Sequence, residues 1–229
     1  MILKDKVVIV TGASEGIGRA IAERLAKEGA KLALVARSQD KLQGLAQAVG
    51  GEAFVCDIRN HAQVKKTVEA VVAKFGRIDV LVNNAGIWQK TGQLDELPDG
   101  VVDDVIATNL SGTIYMTKCV LPHLRREEET AIIQIVSKSG IVAQEGQSIY
   151  TATKYGVKGF TDVLRVDLKE TKVRVGAVYQ SGTDTEMFRK TGEEFDQEKL
   201  TKPEDLADAV AYMLTRPARI WLPEIQVVY

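Results

Sequence analysis

The chain alternates short apolar runs with longer segments in which apolar residues recur at helical spacing. The apolar runs predict seven strands, at Lys6–Val10, Lys31–Ala36, Glu52–Cys56, Ile78–Val82, Ala131–Val136, Val173–Val178 and Ile225–Val228. The other segments predict helices at Ile17–Glu28, Gln39–Ala48, Ala62–Phe75, Val101–Leu124, Ile149–Lys169 and Pro203–Leu214. Most of the strands are apolar throughout, as strands covered on both faces must be. The pattern predicts an α/β fold, a doubly wound sheet of about seven parallel strands with helices on both faces.

No feature of the chain divides it into two units. Its 229 residues fit one large α/β domain, and no linker rich in Pro, Gly or Ser interrupts the alternation. We therefore expect a single domain over residues 1–229. The stretch Ser181–Thr201 is polar and acidic without a clear element, which is typical of a mobile segment or a lid.

Composition narrows the class of partner. With 30 basic and 31 acidic residues, the formal net charge is −1, so we expect no nucleic acid and no membrane as partner, but a small molecule. The chain has 2 cysteines without paired spacing and 2 histidines, which favours neither a disulfide framework, a metal site nor a Ser-His-Asp triad. The absence of a signal-peptide core and of a long apolar stretch predicts a cytoplasmic protein.

Glycines follow the first predicted strand. The segment Thr11–Gly18 reads Thr-Gly-Ala-Ser-Glu-Gly-Ile-Gly and opens directly into the first helix. Glycines let the backbone approach a diphosphate closely, and the helix N-terminus offers free N–H groups to an anion. A tight strand-to-helix turn without a ligand would also use glycines, so the motif alone decides little.

Residues after the second and third predicted strands indicate which dinucleotide the chain would bind. An acidic residue at the end of the second strand would hold the ribose 2′-hydroxyl of NAD, but the chain has Ala36 and Arg37 there. A guanidinium can pair with a 2′-phosphate, so Arg37 favours NADP, unless it is an ordinary exposed charge. Asp57, after the third strand, is a candidate for the adenine or a turn former.

A second group of residues could carry acid–base chemistry. Tyr150 and Lys154 lie four apart in a predicted helix, which places the phenol and the ammonium on one face. A phenol normally titrates near about 10, and a fixed positive charge beside it would lower that value. Ser137 follows the fifth strand, at the edge where open α/β sheets bind ligands. Each feature alone also occurs by chance.

Taken together, these motifs resemble the short-chain dehydrogenase/reductase family over essentially the whole chain. The glycine motif, Asp57, Asn-Asn-Ala-Gly at Asn83–Gly86, Asn109, Ser137 and Tyr150-x-x-x-Lys154 follow the family's order and spacing. The resemblance implies a Rossmann-like fold with Tyr150 as general acid and base. It also implies that Lys154 binds the nicotinamide ribose and lowers the pKa of Tyr150, that Ser137 orients the reacting oxygen, and that Asn109 holds a water.

The resemblance also implies a cofactor-binding set and an assembly. The cofactor-binding residues would be Gly12, Ser14, Glu15, Gly16, Ile17, Gly18, Arg37, Asp57, Ile58, Asn84, Ala85, Gly86, Tyr150, Lys154, Thr183 and Thr185. Members are usually homodimers or homotetramers that associate through the helices around Val101–Leu124 and Ile149–Lys169. On the substrate side we expect Ser137 with Trp88, Gln144, Tyr179 and Phe188, each of which could equally serve packing.

One segment departs from the family. After the sixth strand the family usually has Pro-Gly, then Thr four residues after the Gly, in a loop that holds the nicotinamide carboxamide. This chain has Gln180 and Ser181 in their place and keeps Thr185. The exchange removes a fixed φ and a residue that tolerates φ > 0, which predicts a nicotinamide pocket that is looser or differently shaped.

The sequence therefore leaves several hypotheses open. The first is an NADP(H)-dependent oxidoreductase acting on a small carbonyl or secondary alcohol, of the 3-hydroxy-acid or general carbonyl reductase type. A 3-oxoacyl-thioester reductase of the same family is the alternative. A non-catalytic dinucleotide-binding scaffold is the hypothesis from another class, because a fold alone does not imply activity. A non-redox lyase or isomerase is the smallest possibility.

Overall fold

The computed structural model describes residues 1–229 and contains one seven-stranded sheet. Its strands are β1 (Val7–Thr11), β2 (Lys31–Ala36), β3 (Glu52–Val55), β4 (Val80–Asn83), β5 (Thr130–Ile135), β6 (Val173–Gln180) and β7 (Glu224–Val227). All neighbouring strands are parallel, in the order β3-β2-β1-β4-β5-β6-β7. The predicted parallel sheet is confirmed. The order reverses between β1 and β4, and ligands bind outside the carboxyl ends of the strands at such a point.

Helices cover both faces of the sheet. They are α1 (Gly16–Lys27), α2 (Gln39–Val49), α3 (His61–Phe75), α4 (Asp99–Val105), α5 (Thr113–Val120), α6 (Ser148–Asp167), α7 (Glu186–Arg189) and α8 (Pro203–Thr215). Apolar residues of α1, α2 and α8 form one core with one face of the strands, while α3, α5 and α6 form another on the opposite face. Alternate residues of β1 enter the two cores, which is why the strand is apolar throughout.

The helix predicted at Val101–Leu124 is not one regular α-helix. Between α4 and α5 the backbone forms a π-helix at Ile106–Gly112, and a 3-10 turn follows α5 at Leu121–His123. The Thr113 hydroxyl donates to the carbonyl of Asn109, four residues earlier, with 2.9 Å between the oxygens. Hydroxyl groups that bond backward in this way compete with regular helix bonds, and π-turns often occur at functional sites.

Two strand ends differ from the prediction by two residues, and several others differ by one. β4 begins at Val80 rather than Ile78, and the carboxylate of the preceding buried residue, Asp79, accepts the N–H of Val7 at 2.9 Å. β6 continues to Gln180, which pairs with Val227 of β7. The sixth strand therefore carries its backbone two residues further toward the ligand edge than the apolar pattern indicates.

The stretch Ser181–Thr201 folds over this edge of the sheet. It contains α7, a 3-10 turn at Gln197–Lys199, and a bridge between Thr183 and Thr201 that closes its base. The stretch is thus placed as a lid would be, while its mobility stays a prediction. No helix in the chain is both long and apolar enough to cross a bilayer.

Candidate functional site

One cavity of about 530 Å³ lies along the carboxyl ends of β1 to β6. It joins the glycine segment at one end to the Tyr150 region at the other. The predicted site residues on its wall are Gly12, Ser14, Glu15, Gly16, Ile17, Arg37, Asp57, Ile58, Asn84, Ala85, Gly86, Trp88, Ser137, Gln144, Tyr150, Lys154, Thr183 and Thr185. The tertiary structure therefore brings nearly all of them together in one elongated space.

The glycine segment forms the first part of this wall. Gly12 and Gly16 have φ of 64° and 54°, a region that L side chains rarely adopt. A Cβ on Gly12 would also lie 2.8 Å from the Cα of Ala85. The residue before α1, Glu15, makes no capping bond with its side chain, and the first turn of α1 contains no acid. The N–H groups of that turn are thus available to an anion.

Gly18 does not belong to the cavity wall. A Cβ at this position would overlap the carbonyl oxygen of Gly12 and would lie 2.5 Å from Nδ2 of Asn84. Gly18 lets α1 pack closely on the end of β1, and its predicted direct contact with the cofactor is not supported.

Basic side chains surround the far end of the cavity. Arg37 is exposed on the wall directly after β2. Lys41 Nζ lies 2.9 Å from a carboxylate oxygen of Glu15, and Lys190 forms an ion pair with the other oxygen. The one acid of the glycine segment is therefore neutralised by two lysines, while Arg37 adds a positive charge beside it.

Asp57 has a partner that the sequence did not indicate. The Arg59 guanidinium donates to both oxygens of Asp57, at 3.0 Å from Nε and 2.6 Å from Nη2. These hydrogen bonds hold the pKa of the Asp57 carboxyl below its usual value. Arg59 also bonds Asp104 of α4 at 2.6 Å. The ion pairs fix the Asp57 carboxylate in its ionised form at the cavity wall.

Tyr150 and Lys154 lie on α6 and face the opposite end of the cavity. Both side chains are buried, and Lys154 Nζ donates to the carbonyl of Ile135 at 3.2 Å. Burial raises the pKa of Tyr150 to about 12, and a hydrogen bond with Ser137 lowers it only in part. Burial also lowers the pKa of Lys154 to about 8. Near neutral pH the phenol is therefore protonated and the amine is mainly charged.

This result corrects one expectation. The sequence predicts that Lys154 lowers the pKa of Tyr150, but in the protein alone the pKa of the phenol is raised. The ammonium lies 5.5 Å from the centre of the Tyr150 ring, and desolvation of the phenolate is the main cause of the raised pKa. The Tyr150 phenol is therefore protonated at neutral pH.

The backbone at Ser137 is strained. Its φ is 138° and its ψ is 156°, an unusual combination for a residue with a side chain. The hydroxyl oxygen accepts the N–H of Ser139 at 3.1 Å. Strain of this kind persists only where surrounding contacts hold it, and it places the hydroxyl at the cavity beside Tyr150.

Asn109 is buried in the π-helix and does not lie on the cavity wall. Its carboxamide accepts the N–H of Ile87 at 2.8 Å and donates to the carbonyl of Ile87 at 2.9 Å. The side chain therefore fixes the loop that follows β4. Its role in holding a water stays a prediction.

The substrate-side candidates divide into two groups. Trp88 and Gln144 lie on the cavity wall, whereas Tyr179 is 1% exposed and packs against Val136 and Val157. The substrate-side placement of Tyr179 is wrong, because alternate residues of β6 point to opposite faces. Phe188 lies behind Trp88, with ring centres 5.1 Å apart, and supports the wall from outside.

Glu193 joins the lid to the opposite wall. Its carboxylate accepts a hydrogen bond from the Trp88 indole N–H and another from the backbone N–H of Thr91, the latter at 3.1 Å. The Trp88 ring meets Tyr150 edge-on at 4.6 Å between centres. No local pattern could reveal Glu193, because its partners lie about a hundred positions earlier in the chain.

The loop with Gln180 and Ser181 is held firmly. Ser181 does not adopt positive φ, its N–H donates to Val227 at 2.9 Å, and its hydroxyl accepts the N–H of Tyr229 at 3.2 Å. β7 and Tyr229 therefore hold the loop itself in place, while the effect of Gln180 and Ser181 on the nicotinamide pocket stays a prediction. Gln180, by contrast, lies on the cavity wall.

The chain is similar to known proteins over nearly its whole length, which includes the residues around the cavity. The family model described as short chain dehydrogenase matches residues 6–196. An uncharacterised oxidoreductase of Staphylococcus epidermidis is 33% identical over 227 residues, 98% of this chain and 97% of the relative. A 3-ketoacyl-(acyl-carrier-protein) reductase from Brucella melitensis, complexed with NADH, has a TM-score of 0.90 at 31% identity and covers 99% of this chain and 98% of its own. An alcohol dehydrogenase from the archaeon Thermococcus sibiricus, complexed with 5-hydroxy-NADP, has a TM-score of 0.87 at 29% identity, with 98% and 97% covered.

Proposed function

Because this chain belongs to the short-chain dehydrogenase family, we propose that it is an NADP(H)-dependent oxidoreductase that interconverts a small carbonyl compound and a secondary alcohol. One observation carries the proposal. The buried pair Tyr150 and Lys154, with Ser137, lies at one end of the cavity whose other end is formed by the glycine segment and Arg37. A dinucleotide that spans this distance would bring its reactive ring to Tyr150.

The wall fits a dinucleotide. Gly12 and Gly16 leave room where a Cβ would collide or be strained, and the uncapped first turn of α1 offers donors to the diphosphate. The remaining contacts would come from Ser14, Ile17, Arg37, Asp57, Ile58, Asn84, Ala85, Gly86, Lys154, Thr183 and Thr185. When bound, the cofactor would supply or accept the hydride.

The protein's own groups would move the proton. Tyr150, protonated at neutral pH, is placed to donate its phenolic proton to the oxygen of a carbonyl as that oxygen gains negative charge. The Ser137 hydroxyl would donate a second hydrogen bond to the same oxygen. The Lys154 charge would stabilise the phenolate left on Tyr150. In alcohol oxidation the same phenolate would take the proton back.

Substitution of Tyr150 tests this mechanism. Tyr150→Phe keeps the ring and its packing on Trp88 but removes the proton, so we expect NADPH binding to persist and carbonyl reduction, followed at 340 nm, to fall by at least about 10³-fold. Turnover within a few-fold of the wild type would contradict the mechanism. Tight NADPH binding by the wild type without turnover of any carbonyl would favour a non-catalytic scaffold instead.

The preference for NADP(H) rests on Arg37. Its guanidinium stands free to meet a 2′-phosphate, and no carboxylate follows β2 to hold a 2′-hydroxyl. We expect Arg37→Leu to weaken NADPH binding by about 10- to 100-fold and to leave NADH binding almost unchanged. Parallel fluorescence titrations of the wild type and the variant measure this. Equal losses for both cofactors would show that Arg37 does not select between them.

A 3-oxoacyl-thioester reductase is the second candidate. The similarity to the Brucella melitensis reductase favours it, and the exposed Lys138 places a positive charge on the cavity wall for an acidic carrier. Comparing kcat/KM for a 3-oxoacyl thioester and for the matching free 3-oxo ester separates the candidates. A thioester preference that disappears in Lys138→Glu would support the second candidate.

We also propose that the protein is a homodimer or homotetramer. The outer face of α6 exposes Tyr155, Val163 and Val166, the last being 64% exposed. Such a row of apolar side chains is costly in water and suits contact with the same helix of a second copy. Light scattering should give a multiple of 25.0 kDa. A monomer at micromolar concentration would contradict this assembly.

A further inference from the structure

Gln180 brings an unused carboxamide to the reacting end of the cavity. It is the last residue of β6, is 8% exposed, and lies on the same wall as Ser137 and Tyr150. Its Oε1 is buried without a hydrogen-bond partner. A buried oxygen without a partner destabilises the fold, because folding removes its hydrogen bonds to water and provides no other hydrogen bond in their place.

The other two glutamine side chains on this wall are already hydrogen-bonded to protein groups. Gln144 Nε2 donates to the Ser139 hydroxyl at 2.9 Å, and that hydroxyl donates to Gln147 Oε1 at 3.1 Å. Gln147 Nε2 donates back to Gln144 Oε1 at 3.5 Å, which closes a ring of three side chains. Gln180 takes no part in this ring and keeps its full capacity for a bound molecule.

The Gln180 carboxamide can turn at little cost. The terminal torsion of a glutamine side chain is broad, and the oxygen and nitrogen ends of the amide have nearly the same shape. A ligand that presents an N–H or O–H beside Gln180 would therefore draw the oxygen toward the cavity. Pairing would satisfy the oxygen, and a ligand without the donor would lack this bond, so the site would discriminate against it.

On the basis of the proposed function, we propose that Gln180 is a specificity-determining residue whose oxygen accepts a hydrogen bond from an N–H or O–H donor at the reacting end of the cavity. Two molecules can carry this donor. One is the cofactor, through the amide of its nicotinamide ring, and the other is the substrate, through a hydroxyl group close to its carbonyl. The second source would make hydroxylated carbonyl compounds the preferred substrate class.

Matched ligand pairs test the assignment against Gln180→Met, which keeps the size of the side chain without its polar atoms. The cofactor pair is NADP+ and its 3-acetylpyridine analogue, in which a methyl group replaces the amide nitrogen; calorimetry gives both affinities. The substrate pair is hydroxyacetone and butanone, compared by kcat/KM. We expect the wild type to favour the donor-bearing member of one pair by about 10-fold or more, and Gln180→Met to abolish that preference. The pair that responds identifies the source of the donor.

Gln134→Met is the control variant. Gln134 is fully buried in β5, both polar atoms of its carboxamide lack partners, and it does not lie on the cavity wall. We expect this variant to retain both preferences. Unchanged preferences in Gln180→Met, or equal losses in Gln134→Met, would overturn the assignment of Gln180. A wild type that binds neither NADPH nor NADH would instead overturn the proposed function, and the assignment with it.

Discussion

Gln89 accepts a hydrogen bond from the backbone N–H of Tyr150, with 2.7 Å between Oε1 and N, although 61 positions separate the two residues. The other end of its carboxamide donates to the carbonyl of Gly146 at 3.2 Å. Gln147, the residue before α6, provides no side-chain cap. Gln89 therefore caps α6 from the loop after β4 and fixes the turn that carries Tyr150.

The first prediction concerns this cap. Gln89→Leu should leave the N–H of Tyr150 buried without a partner, lower the free energy of unfolding by about 1–3 kcal/mol and displace the phenol. We expect kcat to fall by about 10- to 100-fold with a smaller change in KM, because Gln89 positions Tyr150 without touching the substrate. Urea unfolding and steady-state kinetics measure both effects. The exposed Gln197→Leu serves as control, and an unchanged kcat in Gln89→Leu would contradict this role.

The second prediction concerns the lid. The two oxygens of the Glu193 carboxylate each accept an N–H, one from Trp88 and one from Thr91. A glutamine amide at this position has only one oxygen, and its N–H₂ group would face the second donor instead of accepting from it. Glu193→Gln should weaken closure and raise KM for the carbonyl substrate by about 5- to 10-fold without lowering kcat. The neighbouring exposed Glu194→Gln should leave KM unchanged. Equal KM values in all three proteins would show that the contact does not govern closure.

The third prediction separates strain from chemistry at Ser137. Ser137→Ala and Ser137→Gly both remove the hydroxyl, so both should lose most activity. Only glycine adopts the observed φ of 138° without strain, and Ser137→Gly should therefore be more stable than Ser137→Ala by about 1 kcal/mol or more. Thermal or urea unfolding of the two variants provides the comparison. Alanine as the more stable variant would contradict a strained backbone at this position.

The fourth prediction concerns pH and Lys154. Burial lowers its pKa from the ordinary 10.5 to about 8, so between these values the unfolded chain binds the extra proton and the folded protein does not. The free energy of unfolding should therefore rise with pH in this window, by about 2–3 kcal/mol at pH 10, relative to Lys154→Met. Measurements stay below pH 10, because the raised pKa of Tyr150 acts in the opposite direction above it. A difference that does not vary with pH would mean that Lys154 titrates normally.

Much of the fold followed from the sequence because the relevant signals are local. A strand buried on both faces must be apolar throughout, and seven such runs alternating with helical segments leave few arrangements other than a parallel sheet. The features of the glycine end of the cavity followed for the same reason. Gly12 and Gly16 adopt backbone angles that glycine favours, and Arg37 directly follows β2 at the edge where ligands bind in open α/β sheets.

Pairings across the chain came only from the tertiary structure. Gln89 and Tyr150, Glu193 and Trp88, and Glu15 and Lys190 are far apart in sequence, and no spacing rule relates them. The orientation of side chains at the ends of β6 was also undetermined. Tyr179 points into the core and Gln180 toward the cavity because β6 continues to pair with β7 beyond its apolar run.

The protonation of Tyr150 and Lys154 also depends partly on the sequence and partly on the tertiary structure. The sequence alone placed Tyr150 and Lys154 on one helix face, since helical spacing is a local property. It could not show that burial raises the pKa of Tyr150 to about 12, because desolvation depends on every element packed around the phenol. Composition, periodicity and motif order thus determined the family and the sheet, and they predicted which groups react. Packing between distant segments decided their charge, their strain and their enclosure.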